Sequence, residues 1–180
     1  MTAIVSLFWR ICTFRCGPDL VPANSYLLAL VVLANALVGM LSLWGELQAF
    51  SAHEALAPLV PQVTAMQLVT LTIVEQAGCA ALTWTVLYLL GFASRFPQTL
   101  MALFGVDTII TAAAAVGVSV GLGINPLIGG MTELFSLIWR IAAFGYIFHR
   151  ALNIALGFGI ATAIFVMLFS IAIAQVVINP

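Results

Sequence analysis

Apolar positions in this chain gather in five long blocks, about 26–44, 65–92, 98–121, 126–148 and 153–178. A helix needs about 20 mostly apolar residues to cross a hydrocarbon core ~30 Å thick, and each block approaches or exceeds that length. The segments between them carry the breakers. Cys16-Gly17-Pro18-Asp19 ends a short N-terminal stretch, and Pro22-Ala23-Asn24-Ser25 offers an N-cap to the first block. The segment 45–64 holds Glu46, His53, Glu54, Pro58 and Pro61 around an apolar middle, which reads as a short surface helix. Ser94-Arg95-Phe96-Pro97, the Gly-Pro turn at 121–126 and His149-Arg150 separate the remaining blocks. The expected architecture is all-α, with residues 1–180 as one integral membrane domain of five transmembrane helices. An interfacial helix within 1–16 precedes them, with Phe8, Trp9 and Phe14 at headgroup level and Arg10 and Arg15 reaching toward anionic lipid.

The basic residues orient this arrangement. Arg10 and Arg15 precede the first block, Arg95 joins the second to the third, Arg150 joins the fourth to the fifth, and the two opposite loops hold none. The positive-inside rule then predicts a cytoplasmic N-terminus and a periplasmic or extracellular C-terminus in a bacterial inner membrane.

Composition agrees with lipid as the solvent. Of 180 residues, 64% are apolar and 6% charged, against about a quarter charged in a soluble domain. The formal charge is -1, with five Arg and no Lys, so no basic face exists for nucleic acid. Cys12, Cys16 and Cys79 are expected to be free thiols. A metal site is not expected, because His53 with Glu54 and Glu46 lacks a second His; no cofactor motif, Walker loop, zincin helix or nucleophile elbow occurs.

The ionisable residues inside the blocks carry the candidate chemistry. A charge near the bilayer centre costs roughly 2.5–3.5 kcal/mol on insertion scales, so it faces the bundle interior and pairs. Counting about 1.5 Å per helical residue puts Asp107 and Arg140 at one depth, which predicts an ion pair between the third and fourth spans. Glu133 and Arg140, seven apart, share a helix face. Glu75 and Glu133 fall at a second, outer depth with no base of their own; if they meet, one takes a proton, and they form a candidate proton site or a site satisfied by a partner subunit. Small residues at a spacing of four, Ala113, Gly117 and Gly121 in the third block and Ala151, Ala155, Gly159 and Ala163 in the fifth, are candidates for close helix packing.

The Phe14-Arg15-Cys16-Gly17-Pro18 turn, five spans, Arg95-Phe96-Pro97-Gln98-Thr99 entering the third span and Trp139-Arg140 in the fourth resemble small bacterial inner-membrane proteins of Yip-family-like organisation. The likeness is one of layout over the whole chain, rests on no shared motif and transfers no functional residue. It implies a five-span fold and a trafficking or scaffolding role rather than an enzyme. The expected function is a non-catalytic accessory, assembly or scaffolding subunit of a larger inner-membrane complex, with membrane lipid and other membrane subunits or a second copy as partners. The alternative is a small proton-coupled carrier or channel using Glu75 and Glu133.

Overall fold

The computed structural model describes residues 2–51 and 63–178. They form six helices: α1 (Thr2–Cys12), α2 (Ser25–Ser51), α3 (Ala65–Leu89), α4 (Phe96–Ile124), α5 (Pro126–Leu152) and α6 (Leu156–Ile178), with short 3-10 turns at Pro18–Leu20 and Ala93–Arg95. No strand occurs among the described residues. Four helices, α2 to α5, are long and apolar enough to cross a membrane. Their outward faces are apolar, with Leu33, Leu41, Ile73, Val116, Met131 and Phe135 all well exposed on the bundle surface.

Local chemistry sets the helix ends. Thr64 caps α3 through a reciprocal pair with Gln67, the Thr hydroxyl accepting from the Gln67 amide and the Gln side chain from the Thr64 N–H. Asn125 closes α4 and opens α5 at once. Its N–H donates to Gly121, its side chain accepts from Leu127, and Pro126 follows at a position whose N–H would be orphaned anyway. At the other end of α5, Asn153 takes a left-handed conformation, φ 53° and ψ 41°, which Asn tolerates better than most residues.

α4 is the centre of the fold. It packs against α5 and α2 most extensively and also meets α1 and α3; α6 lies against α5 and α3. From Thr99 to Val106 every residue of α4 is buried, and beyond that burial narrows to one side, at Ile110, Ala114, Val118, Gly121 and Leu122. A helix hydrophobic all round belongs in the middle of its neighbours.

Several expectations need adjusting. The chain's first described residues form a helix, α1, whose Phe8 points into the bundle. It is 5% exposed and lies where a Cβ on Gly105 would be, about 14 Å along α4 from Phe96. Trp9 and Phe14 stay half-exposed and pair edge-to-face with Trp139 and Tyr146 of α5. The Cys12 thiol reaches the Val106 carbonyl, and the Trp139 indole N–H donates to the Cys12 carbonyl at 3.1 Å. Thus α1 is docked on α4 and α5. The loop expected from residue 45 is also shorter, because α2 continues through Glu46 and Gln48 to Ser51; His53, Glu54 and the surface helix expected around them lie outside the described residues.

Candidate functional site: a polar brace across four helices

Polar side chains of four helices meet at the level where α4 passes from all-round burial to one-sided burial. Asp107 of α4 is the acceptor at the centre. Arg140 of α5 brings Nε to 2.8 Å from Asp107 Oδ1. The N–H there is not directed at the oxygen, so the contact is an ion pair rather than an aligned hydrogen bond. Arg140 Nη2 donates instead to Thr111 Oγ1, one turn along α4, at 2.8 Å. The other carboxylate oxygen, Oδ2, accepts from Asn35 Nδ2 of α2 at 2.9 Å; Asn35, 6% exposed, also reaches the Phe104 carbonyl and the Thr108 hydroxyl at 3.3 Å. From α3, Gln76 Nε2 donates to Asn35 Oδ1 at 2.9 Å and to the Val32 carbonyl at 3.3 Å.

The chain of donors therefore has one direction. Gln76 donates to Asn35, Asn35 donates to Asp107, and Arg140 neutralises the charge that collects there. Each polar group in a low-dielectric interior gains strength from its neighbours and is costly if left alone. The ion pair joins α4 to α5; the amides extend it to α2 and α3. Asn35 and Gln76 were visible as isolated polar residues in apolar blocks, but nothing in the spacing told which helices they would join.

Beside this brace lies a cavity of about 270 Å³, lined by Asn35, Glu75, Gln76, Asp107, Thr111 and Arg140 and closed on its apolar side by α6 at Val166 and Met167. Glu75 stands at its rim, an exposed residue whose carboxylate makes no hydrogen bond or ion pair within the described chain. Of the two outer acids, the cavity lining includes Glu75 and not Glu133. Glu133 lies within electrostatic range of another acid, Glu46, near the end of α2. Equal depth along two helices does not fix their bearing around the bundle, and α6 packs against both α3 and α5.

Glu133 lies on the edge of α5. The buried stripe of that helix runs through Gly129, Ser136, Ala143 and Ile147, and Glu133 and Arg140 flank it. The long Arg140 side chain turns in to Asp107; Glu133 is exposed, and its carboxylate makes no hydrogen bond or ion pair among the described residues.

The small residues divide in the same way. A Cβ on Gly117 would meet Thr132 Cγ2 at 2.7 Å, and one on Gly121 would meet Gly129 N at 2.9 Å and Cα at 3.0 Å, so these two glycines let α5 lie directly on α4. Gly159 packs against Gly145 and His149, while Ala151 and Ala163 are buried at 3% and 0% exposure. Ala113 and Ala155 are exposed and make no such seam. Ala151 belongs to the end of α5 and Ala155 to the turn before α6, so the stripe expected from 151 to 163 does not lie on one helix; on α4 each step of four turns about 40° past a full circle, which carries Ala113 off the seam made by Gly117 and Gly121. The facing glycines of α5, Gly129 and Gly145, carried no stripe of their own and were not foreseen.

Burial accounts for the thiols. Cys12, Cys16 and Cys79 are free and buried, and burial pushes the Cys12 thiol up to about 12.

Comparison with protein-family models, with curated proteins and with solved structures returns no match.

Proposed function

We propose that this protein is a non-catalytic accessory or assembly subunit of a larger bacterial inner-membrane complex, built as five membrane-crossing helices with the Arg-rich end in the cytoplasm. α6, at 23 residues, has the length for the fifth crossing. Arg95 and Arg150, at the ends of α3 and α5, come together at one end of the bundle, which supports that orientation.

One observation carries the subunit reading: Glu133, exposed at the edge of α5, presents a carboxylate with no partner among the described residues. A carboxylate at that depth, about 10 Å along α5 from Pro126, is unfavourable against lipid. Glu46 of α2, which lies near it, is also an acid. The face therefore suits a transmembrane helix of another subunit that brings a basic or hydrogen-bonding residue to Glu133. The brace supports the same reading, since its donors are matched to acceptors as in a fixed frame. The test is capture of the tagged chain from native membranes in mild detergent, comparing wild type with Glu133→Gln and Glu133→Leu. A membrane protein recovered in stoichiometric amount with wild type and lost with both variants supports the reading. Equal recovery from all three overturns the role of Glu133.

A second reading rests on the cavity. Glu75, with no partner beside an ion pair in a polar pocket, is placed as a proton or cation site would be. On that reading Glu75→Gln abolishes proton flux in proteoliposomes while leaving the folded protein intact, and Glu133→Gln does not.

A further inference from the structure

At the Arg-rich end of the bundle, three chain segments enclose a second cavity of about 420 Å³. The Pro18–Leu20 turn contributes Asp19, the start of α4 contributes Gln98 and Thr99 with Arg95 just before them, and the end of α5 contributes His149 and Arg150. Ligand cavities run from about 300 to 1,000 Å³. The two guanidinium groups are held differently. Arg95 is fixed, with Nη1 donating to the Ala151 carbonyl at 2.8 Å and its plane 4.9 Å from the Phe92 ring centroid. That bond reaches the residue next to Arg150, so the fold brings both arginines to one wall of the cavity. Arg150 is looser: its Nη2 lies 3.4 Å from Asp19 Oδ1, with the two side chains 47% and 60% exposed. A contact that long and open is a weak counter-ion, readily exchanged for a better acceptor. His149 Nδ1 is taken up by the Ile154 carbonyl, which can only accept; that nitrogen carries the proton and Nε2 remains free. Two arginines against one aspartate leave the cavity with a net positive charge.

We propose that this cavity binds a phosphate-bearing anion, held by the guanidinium groups of Arg95 and Arg150, with Gln98 as a further donor. Planar guanidinium groups match phosphate oxygens two at a time, and basic pockets between membrane helices suit phospholipid headgroups. The bound group displaces Asp19 from Arg150. This inference does not depend on the subunit reading, since the site is at the opposite end of α5 from Glu133.

The experiment is native mass spectrometry of the full chain in neutral mild detergent, titrated with phosphatidylglycerol, with phosphatidylcholine and with inorganic phosphate. Wild type should hold the phosphatidylglycerol or the inorganic phosphate in preference to the zwitterionic lipid. Phosphatidylglycerol that excess inorganic phosphate does not displace identifies a lipid headgroup; phosphate binding without lipid retention identifies a free phosphate. Arg150→Ala should weaken binding about tenfold, in line with the loss of one charge-assisted contact. Asp19→Asn should strengthen it several-fold, an opposite change that general damage to the fold would not produce. Equal retention of all three probes, or binding unaltered in both Arg150→Ala and Asp19→Asn, overturns the proposal.

Discussion

Replacing Asp107 by Asn removes one charge from the brace and keeps an acceptor for Asn35. Among the described residues the Arg140 guanidinium then keeps one hydrogen-bond partner, Thr111. An uncompensated Arg near mid-membrane costs roughly 2.5–3.5 kcal/mol on insertion scales. The Thr111 bond and the 27% accessibility of the Arg140 side chain, which lets it lean into the cavity, reduce this to about 1.5–3 kcal/mol of lost stability. Removing both charges, Asp107→Asn with Arg140→Met, strands neither. The double variant should be more stable than Asp107→Asn alone, with a coupling energy of about 1–2 kcal/mol. Full exchange, Asp107→Arg with Arg140→Asp, should restore only part of the stability: the Asn35 amide nitrogen would then face a donor, while Gln76 holds its carbonyl oxygen. The order of the single truncations follows too. Asp107→Ala leaves the Arg140 guanidinium without its counter-charge, whereas Arg140→Ala leaves Asp107 with the Asn35 amide still donating to it, so the first should cost more. The assay is equilibrium unfolding in mild detergent titrated with dodecyl sulfate, followed by circular dichroism. Additivity of Asp107→Asn and Arg140→Met to within about 0.5 kcal/mol would refute the ion pair as a stabilising contact.

Other outcomes follow from the packing. Gly105→Ala puts a methyl group within 2.6 Å of the Phe8 ring atoms and should loosen α1 by about 1–3 kcal/mol, seen as faster tryptic cleavage after Arg10 and Arg15. Gly121→Ala meets backbone atoms of Gly129 that cannot rotate away, so it should cost about as much or more and lower the melting temperature, while Ala113→Leu, on an exposed position, should leave it unchanged. Maleimide should leave Cys12 unmodified at neutral pH in the folded protein, because the thiol is buried and stays protonated up to about 12; labelling should appear once dodecyl sulfate opens the bundle, and rapid labelling of the native protein would contradict the docking of α1.

The long apolar helices were legible because their signal is local: twenty apolar residues between Gly, Pro and Arg leave few other structures open in lipid. The end of α2 was misread for a local reason as well. Glu46 and Gln48 look like loop, yet a helix near the membrane surface can carry polar residues in its last turn. What could not be read was the bearing of each helix around the bundle. Depth could be counted from sequence, and it puts Asp107 level with Arg140, which the structure brings together, and Glu75 level with Glu133, of which only Glu75 lines the cavity beside the brace. The burial of Phe8 was illegible for a related reason. The glycine that receives it lies in a distant helix, and a glycine among Phe104, Val106 and Asp107 gives no sign of what will fill its space.

The docking of α1 has a bearing on the order of assembly. Its hydrogen-bonding partners are 94 and 127 residues further along the chain, at Val106 and Trp139. At synthesis rates of about 5–20 residues per second, the first helix waits for some 6–25 s before the surface that receives it exists. During that interval Phe8, Ile11 and Cys12, all buried in the finished protein, have only lipid or another protein to shelter them. The α1 helix thus waits on segments made well after it, and its arrival reports that α4 and α5 are already in place.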